Sequence, residues 1–188
     1  MNHLIDSAAN KMVGKWESIS GEKRPNPWGG TYFLKRYFNN SKSEANTRLV
    51  FYTDESYSAL NITIEVVGPY HFIKPSDFVE GAVETDFEFL RVAVTPHSQA
   101  MVDMLNGMPA PYLKTWTVNL RQEVGTPGQG IMGIILGEYK EYDLVKAEDD
   151  LLYYGERPSD GTAPDSPEKR AKALQVPLKK VSALSMSF

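Results

Sequence analysis

Two arginines occupy strand positions that otherwise carry apolar side chains. Arg36 shares its parity along the chain with Leu34 and Phe38, and Arg91 shares its parity with Phe89. An arginine on an apolar face must pair with an anion, border water, or be returned to the surface by a β-bulge. The spacing leaves two interpretations open: a structural salt bridge, or an anchor for the polar head of an otherwise apolar ligand.

Charged and aromatic residues on the same or neighbouring strands extend this candidate site. Aromatic side chains at alternating positions line either a packed core or a cavity, and the sequence contains 3 Trp, 10 Tyr and 8 Phe. The pattern does not assign a catalytic residue. The predicted ligand-binding set is Arg24, Arg36, Arg91, Glu22, Phe38, Tyr52, Phe89 and Trp116.

Several common site chemistries are not predicted. The sequence has no cysteine, which excludes disulfides, thiolate catalysis and cysteine-based metal sites. Its 3 histidines occur singly, without metal-ligand spacing, so no metal is predicted. Gly128, Gly130 and Gly133 form a G-x-G-x-x-G pattern, but no helical stripe follows them. We therefore predict a hairpin loop with a bulge there, and no cofactor.

Net charge and hydropathy limit the classes of partner that are expected for this protein. With 20 basic and 24 acidic residues the net charge is −4, so nucleic acid is not expected as a partner. No segment approaches the ~20 apolar residues of a membrane span, so stable membrane insertion is not expected. The N-terminus lacks the pattern of a secretory signal, and a cytoplasmic location is therefore expected.

The elements that must position these side chains are mainly β-strands. Apolar and polar residues alternate with period two, most clearly from Leu60 to Val66. Spacers rich in Gly, Pro, Asn and Asp favour hairpins over crossovers, which predicts an antiparallel sheet. Many long strands favour a closed or nearly closed β-barrel, with a β-sandwich as the alternative. Strands are predicted near residues 13–20, 31–39, 47–53, 60–66, 82–94, 115–121, 139–146 and 151–154.

Two short helices complete the prediction. One lies near Asn2–Met12, where apolar residues form a stripe. The other is predicted to begin with Thr95 as its N-cap and Pro96 at its first position, and to stop at Asn106-Gly107.

Four segments carry a resemblance to a known family. Gly-Lys-Trp at residues 14–16 is similar to the opening of lipocalin-like barrels, and the run from Gly155 to Arg170 resembles a more specific closing motif. The segments GKWESISGEKRP, FLKRYF and VTPHSQAMVDMLN fit the same pattern in the same order. Together they resemble the adenomatosis-polyposis-coli-down-regulated family, whose animal members are Wnt antagonists, from about Gly14 to Leu178.

The resemblance implies an antiparallel β-barrel with a hydrophobic cavity able to hold a lipid chain. We expect Trp16 to pack beneath an arginine of the closing motif, and the acidic residues of the motif to accept hydrogen bonds from its arginines or from backbone amides. Animal members are secreted or membrane-anchored, disulfide-bearing and two-domain, so for this cysteine-free single copy Wnt binding is not expected. Structural roles are implied for Gly14, Trp16, Arg157, Asp160, Glu168 and Arg170.

These observations lead to one domain and two principal functions. The domain spans residues 1–188, with an N-terminal helix at 1–12 and the closing motif and tail at 155–188. The first hypothesis is the binding of a small hydrophobic or lipid-like molecule in the barrel. The alternative is a cofactor-free cyclase or isomerase acting on an apolar metabolite, and a protein-interaction module is a third reading.

Overall fold

The chain forms mainly β-structure with two short helices. The computed structural model describes residues 3–25, 30–109, 115–124, 130–131, 134–158 and 160–181. The helices are α1 (His3–Lys11) and α2 (Gln99–Asn106), and a 3-10 helix spans Pro167–Lys169. The strands are β1 (Gly14–Ser18), β2 (Glu22–Pro25), β3 (Thr31–Asn40), β4 (Glu44–Tyr52), β5 (Leu60–Pro75), β6 (Val83–Glu88), β7 (Arg91–Pro96), β8 (Gln122–Val124), β9 (Gly130–Ile131), β10 (Ile134–Ile135), β11 (Lys140–Glu148), β12 (Leu151–Tyr154) and β13 (Leu178–Lys180).

Eight of these strands close into an antiparallel barrel. Their order around the ring is β3, β1, β13, β12, β11, β6, β5 and β4, and the ring closes because β4 pairs with both β5 and β3. Closure removes the exposed edges that such long strands would otherwise present to other chains. The predicted barrel is confirmed.

Short strands lengthen the barrel wall beyond this ring. β2 pairs with the first residues of β3, and β1 pairs with the last ones. Similarly, β7 pairs with the first half of β5 and β6 with the second half. The segment predicted as one strand over 82–94 is therefore two strands, interrupted at residues 89–90.

Gly68 marks this interruption on the facing strand. A Cβ atom at Gly68 would lie 1.8 Å from the carbonyl oxygen of Glu88, a distance that no side chain tolerates. The amide of Leu90 donates to the carbonyl of Val67 at 3.1 Å as the chain passes from β6 to β7. Only glycine permits this close approach of two backbones.

The second helix begins later than predicted. Thr95 and Pro96 end β7, where Thr95 lies opposite Thr63 of β5. The N-cap is Ser98, whose Oγ accepts a hydrogen bond from the amide of Met101 at 3.1 Å. Pairing with β5 therefore displaces the helix start, although the predicted stop at Asn106 is confirmed.

The strand predicted at residues 115–121 is wrong. Trp116 lies in irregular backbone, a turn follows at residues 118–119, and the strand in this region is β8. Asn119 has a φ of 59°, which breaks an extended run. Trp116 instead packs into the core.

Of the three glycines in the G-x-G-x-x-G pattern, Gly130 begins β9, while Gly128 and Gly133 lie outside the described residues.

Two clusters of buried apolar side chains occupy different levels of the barrel. The first contains Ile62, Ile64 and Val66 of β5 together with residues of α2 and with Trp116. The second contains Trp16 of β1 and Tyr70 of β5, and Met12 joins it after α1, which packs against β5, β6 and β11. The space between these two clusters contains the candidate site.

Candidate functional site

A cavity of about 220 Å³ lies inside the barrel, between the two apolar clusters. Eight strands give an interior that side chains can fill or that can hold one small ligand. Phe89, which packs against both clusters, is part of the cavity wall. The apolar part of the wall consists of Leu34, Phe38, Leu49, Phe51, Ile64, Val66, Phe87 and Phe89.

The remaining wall is polar and strongly charged. Three arginines, two carboxylates, a glutamine, a threonine and two tyrosines contribute to it, which is unusual for the interior of a barrel because buried charges need partners. The charged side chains form two separate clusters, described in turn below. The polar lining residues are Arg24, Tyr32, Arg36, Thr47, Glu141, Asp143, Tyr154, Arg157 and Gln175.

The Glu22 cluster consists of Glu22, Arg24 and Arg36, and sets two guanidinium groups around one carboxylate. Arg36 Nε donates to Glu22 Oε1 at 2.6 Å, and Arg24 Nη2 lies 2.5 Å from Glu22 Oε2. Ser18 Oγ also donates to Oε1 at 2.9 Å. Burial raises the pKa of Glu22, but the charges and hydrogen bonds of both arginines outweigh burial and hold the pKa below its ordinary value.

Neutral acceptors complete the hydrogen bonding of these arginines. Arg36 Nη2 donates to the carbonyl of Val176 at 2.6 Å, and Arg24 Nη2 donates to the side-chain oxygen of Gln175. Burial lowers the pKa of Arg36, and Glu22 opposes this effect. The cluster therefore ties β2 and β3 to the C-terminal segment that precedes β13.

The Arg157 cluster consists of Arg157, Glu141 and Asp143, and has the opposite composition. Arg157 Nη2 donates to Glu141 and, at 3.0 Å, to Asp143 Oδ2. The other oxygen of Asp143 accepts from the amides of Leu144 and Gly155 at 2.7 and 2.8 Å. Arg157 Nη1 is buried, and it has no hydrogen-bond partner among the residues that the structure describes.

Burial raises the pKa of two side chains of the cavity wall, Glu141 and Tyr154. It raises the pKa of Glu141 above its ordinary value; the charge of Arg157 opposes the rise and that of Asp143 adds to it. Burial also raises the pKa of Tyr154, whose hydroxyl accepts a hydrogen bond from Asn40 at 3.3 Å. Glu141 and Tyr154 are thus the lining residues whose pKa burial raises above the ordinary value.

A comparison with known protein families matches residues 3–110 to the family described as Adenomatosis polyposis coli down-regulated 1. The matched segment is more than half of the 188-residue chain. The chain belongs to the adenomatosis polyposis coli down-regulated 1 family. In this family member the match covers α1 through α2, and the closing motif lies beyond it.

The Arg170 end of the closing motif of this family member packs on the outside of the barrel, whereas Arg157 of the same motif lines the cavity. Arg170 binds Asp86 at 2.7 Å and Glu84 at 3.3 Å on β6, and donates to the carbonyl of Asp143 at 2.8 Å. The arginines of the motif therefore pair with carboxylates of β6 and β11, and not with acidic residues of the motif itself as expected. Asp160 accepts from the amide of Thr162 at 2.9 Å.

The expected contact between Trp16 and a motif arginine is not present. The cation over the Trp16 ring is Lys180, whose Nζ lies 5.3 Å from the ring centroid. Trp16 is nonetheless fully buried, and its indole nitrogen donates to the carbonyl of Met12 at 2.9 Å. Gly14, which begins β1, has a φ of 124°, and Glu168 lies exposed in the 3-10 helix.

The structure brings together part of the predicted ligand-binding set. Arg24, Arg36, Phe38 and Phe89 line the cavity, and Glu22 lies behind them as the partner of both arginines. These residues come from β2 and β3 and from the interruption between β6 and β7.

Three residues of that set lie elsewhere. Arg91 faces solvent, with 66% of its side chain exposed and Glu44 4.0 Å away, because the interruption at residues 89–90 reverses the parity of the strand. Tyr52 lies outside the cavity, against the ring of Tyr57. Trp116 is buried in the first apolar cluster.

Sequence reasoning missed the Arg157 cluster as a site. Glu141 and Asp143 alternate along β11 with the same parity as the apolar Val145, which is the kind of pattern that identified Arg36. However, Leu144, at the intervening position, is buried as completely as Val145. The closing motif covers the outer face of β11, where the amide of Tyr142 donates to the carbonyl of Pro164 at 2.8 Å. A strand that is covered on both faces loses the alternation on which the prediction depends.

Two further absences concern the described residues alone. Over these ranges, no group of three or more His, Asp or Glu side chains is arranged to hold a metal ion. No helix among them is both long enough and apolar enough to cross a bilayer.

Proposed function

We propose that this protein binds a small hydrophobic or lipid-like molecule inside its barrel. The observation that carries the proposal is the cavity of about 220 Å³, whose wall combines eight apolar side chains with side chains of the two charged clusters. Ligand sites in proteins are typically concave and mostly apolar, with a few polar groups that fix orientation. Membership of the family supports the barrel but not the ligand.

The size of the cavity limits the ligand. One water-sized group needs about 10–15 Å³ of cavity volume, so a cavity of about 220 Å³ holds about 15 to 20 non-hydrogen atoms. Each methylene that is buried on binding contributes about 0.8 kcal/mol, so ten of them contribute about 8 kcal/mol, the free energy of micromolar binding. Because the cost of ordering the chain reduces this sum, an acyl chain of about ten carbon atoms is expected to bind with an affinity between micromolar and millimolar.

Filling the cavity tests this proposal. The Leu49→Trp protein places a large ring in the apolar wall, and we expect its affinity for decanol, measured by isothermal titration calorimetry, to fall by at least about tenfold. Leu60→Trp is the matched control, because Leu60 is 43% exposed at the start of β5 and lies outside the cavity. Equal affinities of the two variants for decanol would contradict the proposal, provided that both unfold cooperatively in urea.

A second candidate function is a cofactor-free isomerase. Glu141, with its raised pKa, and the hydroxyl-bearing Tyr154 line the same cavity. Such a carboxylate takes a proton from the carbon next to a carbonyl group and returns it two atoms further along, while a phenol donates a hydrogen bond to the carbonyl oxygen. An acyclic β,γ-unsaturated ketone tests this candidate, since its conjugated product absorbs in the ultraviolet. Turnover that is lost in Glu141→Gln would support it, and binding without turnover would exclude it for that ketone.

A further inference from the structure

A surface groove adjoins the interior cavity and shares part of its wall. The groove has a volume of about 470 Å³ and runs between residues 20–25 and the two segments 156–158 and 174–176. Four residues line both the groove and the cavity, so their side chains lie between the surface and the interior. We name this set the collar: Arg24, Tyr32, Arg157 and Gln175.

Most hydrogen-bonding groups of the collar are already engaged. Arg24 donates to Glu22 and to Gln175, and Gln175 Nε2 donates to the carbonyl of Gly155 at 2.7 Å. The Tyr32 ring packs against Phe51, with 5.5 Å between the ring centroids. These contacts hold the collar together across β2, β3 and the closing motif.

Arg157 is the exception in the collar. Its Nη2 atom serves both Glu141 and Asp143, while its Nη1 atom is buried and unpartnered among the described residues. A buried donor without an acceptor is unfavourable, and an acceptor atom brought by a ligand removes that cost. Arg36, the arginine that the sequence favoured as an anchor, already uses Nε and Nη2 in contacts with the protein.

From this arrangement we infer that the ligand is a single-chain carboxylate, held at the collar by Arg157 with its chain in the apolar part of the cavity. The inference rests on the proposed function and adds the headgroup, its anchor and the direction in which the ligand lies. A carboxylate fits because a guanidinium group binds carboxylate oxygens through charge-assisted hydrogen bonds. The three cavity arginines balance Glu22, Glu141 and Asp143 in formal charge, and the buried guanidinium nitrogen without a partner among the described residues belongs to Arg157.

Two ligands with the same chain separate the anchor from the cavity. Decanoate and decanol are titrated calorimetrically into the wild type, into Arg157→Met, and into Arg91→Met, whose substituted side chain is exposed outside the cavity. We expect Arg157→Met to weaken decanoate by at least about tenfold and decanol by less than about threefold, with Arg91→Met unchanged. If Arg157→Met weakens both ligands equally, or neither, the anchor is wrong while the proposed function stands. If the wild type binds neither ligand, the proposed function fails as well.

A measurement on the wild type covers the case in which Arg157→Met does not fold. The carboxyl carbon of ¹³C-labelled decanoate reports the pKa of the bound headgroup by NMR. An anchor at Arg157 is expected to keep this pKa within about one unit of the value of free decanoate, because the guanidinium opposes the rise that burial gives to the pKa of a carboxyl group. A bound pKa more than about one unit above the free value would overturn the assignment.

Discussion

The two charged clusters in the cavity wall have opposite compositions. The Glu22 cluster surrounds one carboxylate with two guanidinium groups, whereas the Arg157 cluster surrounds one guanidinium with two carboxylates. The pKa of the carboxyl follows this difference, since it is lowered at Glu22 and raised at Glu141. Burial raises the pKa of both carboxyl groups, but at Glu22 two arginines outweigh burial, whereas at Glu141 one arginine opposes burial and Asp143 adds to it.

The comparison also separates a structural cluster from one that can take a ligand. The excess cation of the Glu22 cluster is satisfied by the carbonyl of Val176 and the amide oxygen of Gln175. In the Arg157 cluster, one guanidinium nitrogen is buried without a partner among the described residues. The first cluster holds the barrel wall together, and the second retains hydrogen-bonding capacity toward the cavity.

Of the substitutions that test this comparison, Glu22→Gln has the largest expected effect on stability. It leaves two arginines close together in a buried site without their counter-charge, and breaking a buried ion pair in this way costs about 3–5 kcal/mol. We expect the free energy of unfolding, measured in urea at neutral pH, to fall by about that amount.

Glu55→Gln is the matched control for this change. The side chain of Glu55 is 76% exposed and lies 3.8 Å from Lys23, so the same substitution there is expected to cost less than about 1 kcal/mol. A loss at Glu22 as small as the loss at Glu55 would mean that the Glu22 cluster does not stabilise the barrel wall.

The pH dependence of stability gives the next largest effect, with opposite signs for the two carboxyl groups. The folded pKa of Glu22 lies below the ordinary value of 4.5, so its contribution is present above that value and is lost as the pH falls through the folded pKa. The folded pKa of Glu141 lies above 4.5, so its contribution is present at low pH and is lost as the pH rises through the folded pKa.

Unfolding curves at several pH values test both signs. The stability advantage of the wild type over Glu22→Gln is expected to shrink as the pH falls below 4.5, and that over Glu141→Gln to shrink as the pH rises above 4.5. Each change is on the order of 1 kcal/mol for one unit of pKa difference. Two curves of the same sign would show that the clusters do not differ in the way described.

The closed barrel was predictable because alternation and spacers act locally. The period-two run at Leu60 continues as the buried inner face of β5, and the sheet is antiparallel as the spacers indicated, although the spacer Gly68-Pro69 lies inside β5. The second helix was misplaced because pairing of Thr95 with Thr63, a contact between distant parts of the chain, extended β7. Local cap signals carry no information about such pairing.

The candidate site was only partly predictable, since its polar wall is assembled from distant segments. Arg36 stood out because the residues two positions before and after it in β3, Leu34 and Phe38, are apolar. Glu141 and Asp143 did not, because the closing motif buries the other face of β11. The role of Arg157 depends on the contact of residue 157 with β11, which no spacing in the sequence encodes.

Arg91→Met gives the smallest expected effect on the free energy of unfolding. It tests why Arg36 and Arg91, which have similar sequence patterns, lie in different environments in the structure. Arg36 and Arg91 both share parity with apolar neighbours, but the interruption at residues 89–90 turns Arg91 to the surface. Its ion pair with Glu44 spans 4.0 Å with both side chains exposed, so we expect the free energy of unfolding to change by less than about 0.5 kcal/mol. A loss of several kcal/mol in urea unfolding would mean that Arg91 is buried after all, and that β6 and β7 form one uninterrupted strand. The small effect at Arg91 is therefore as informative as the large one at Glu22. It shows that beyond residues 89–90 the alternation continued from β6 no longer identifies which side chains face the barrel interior.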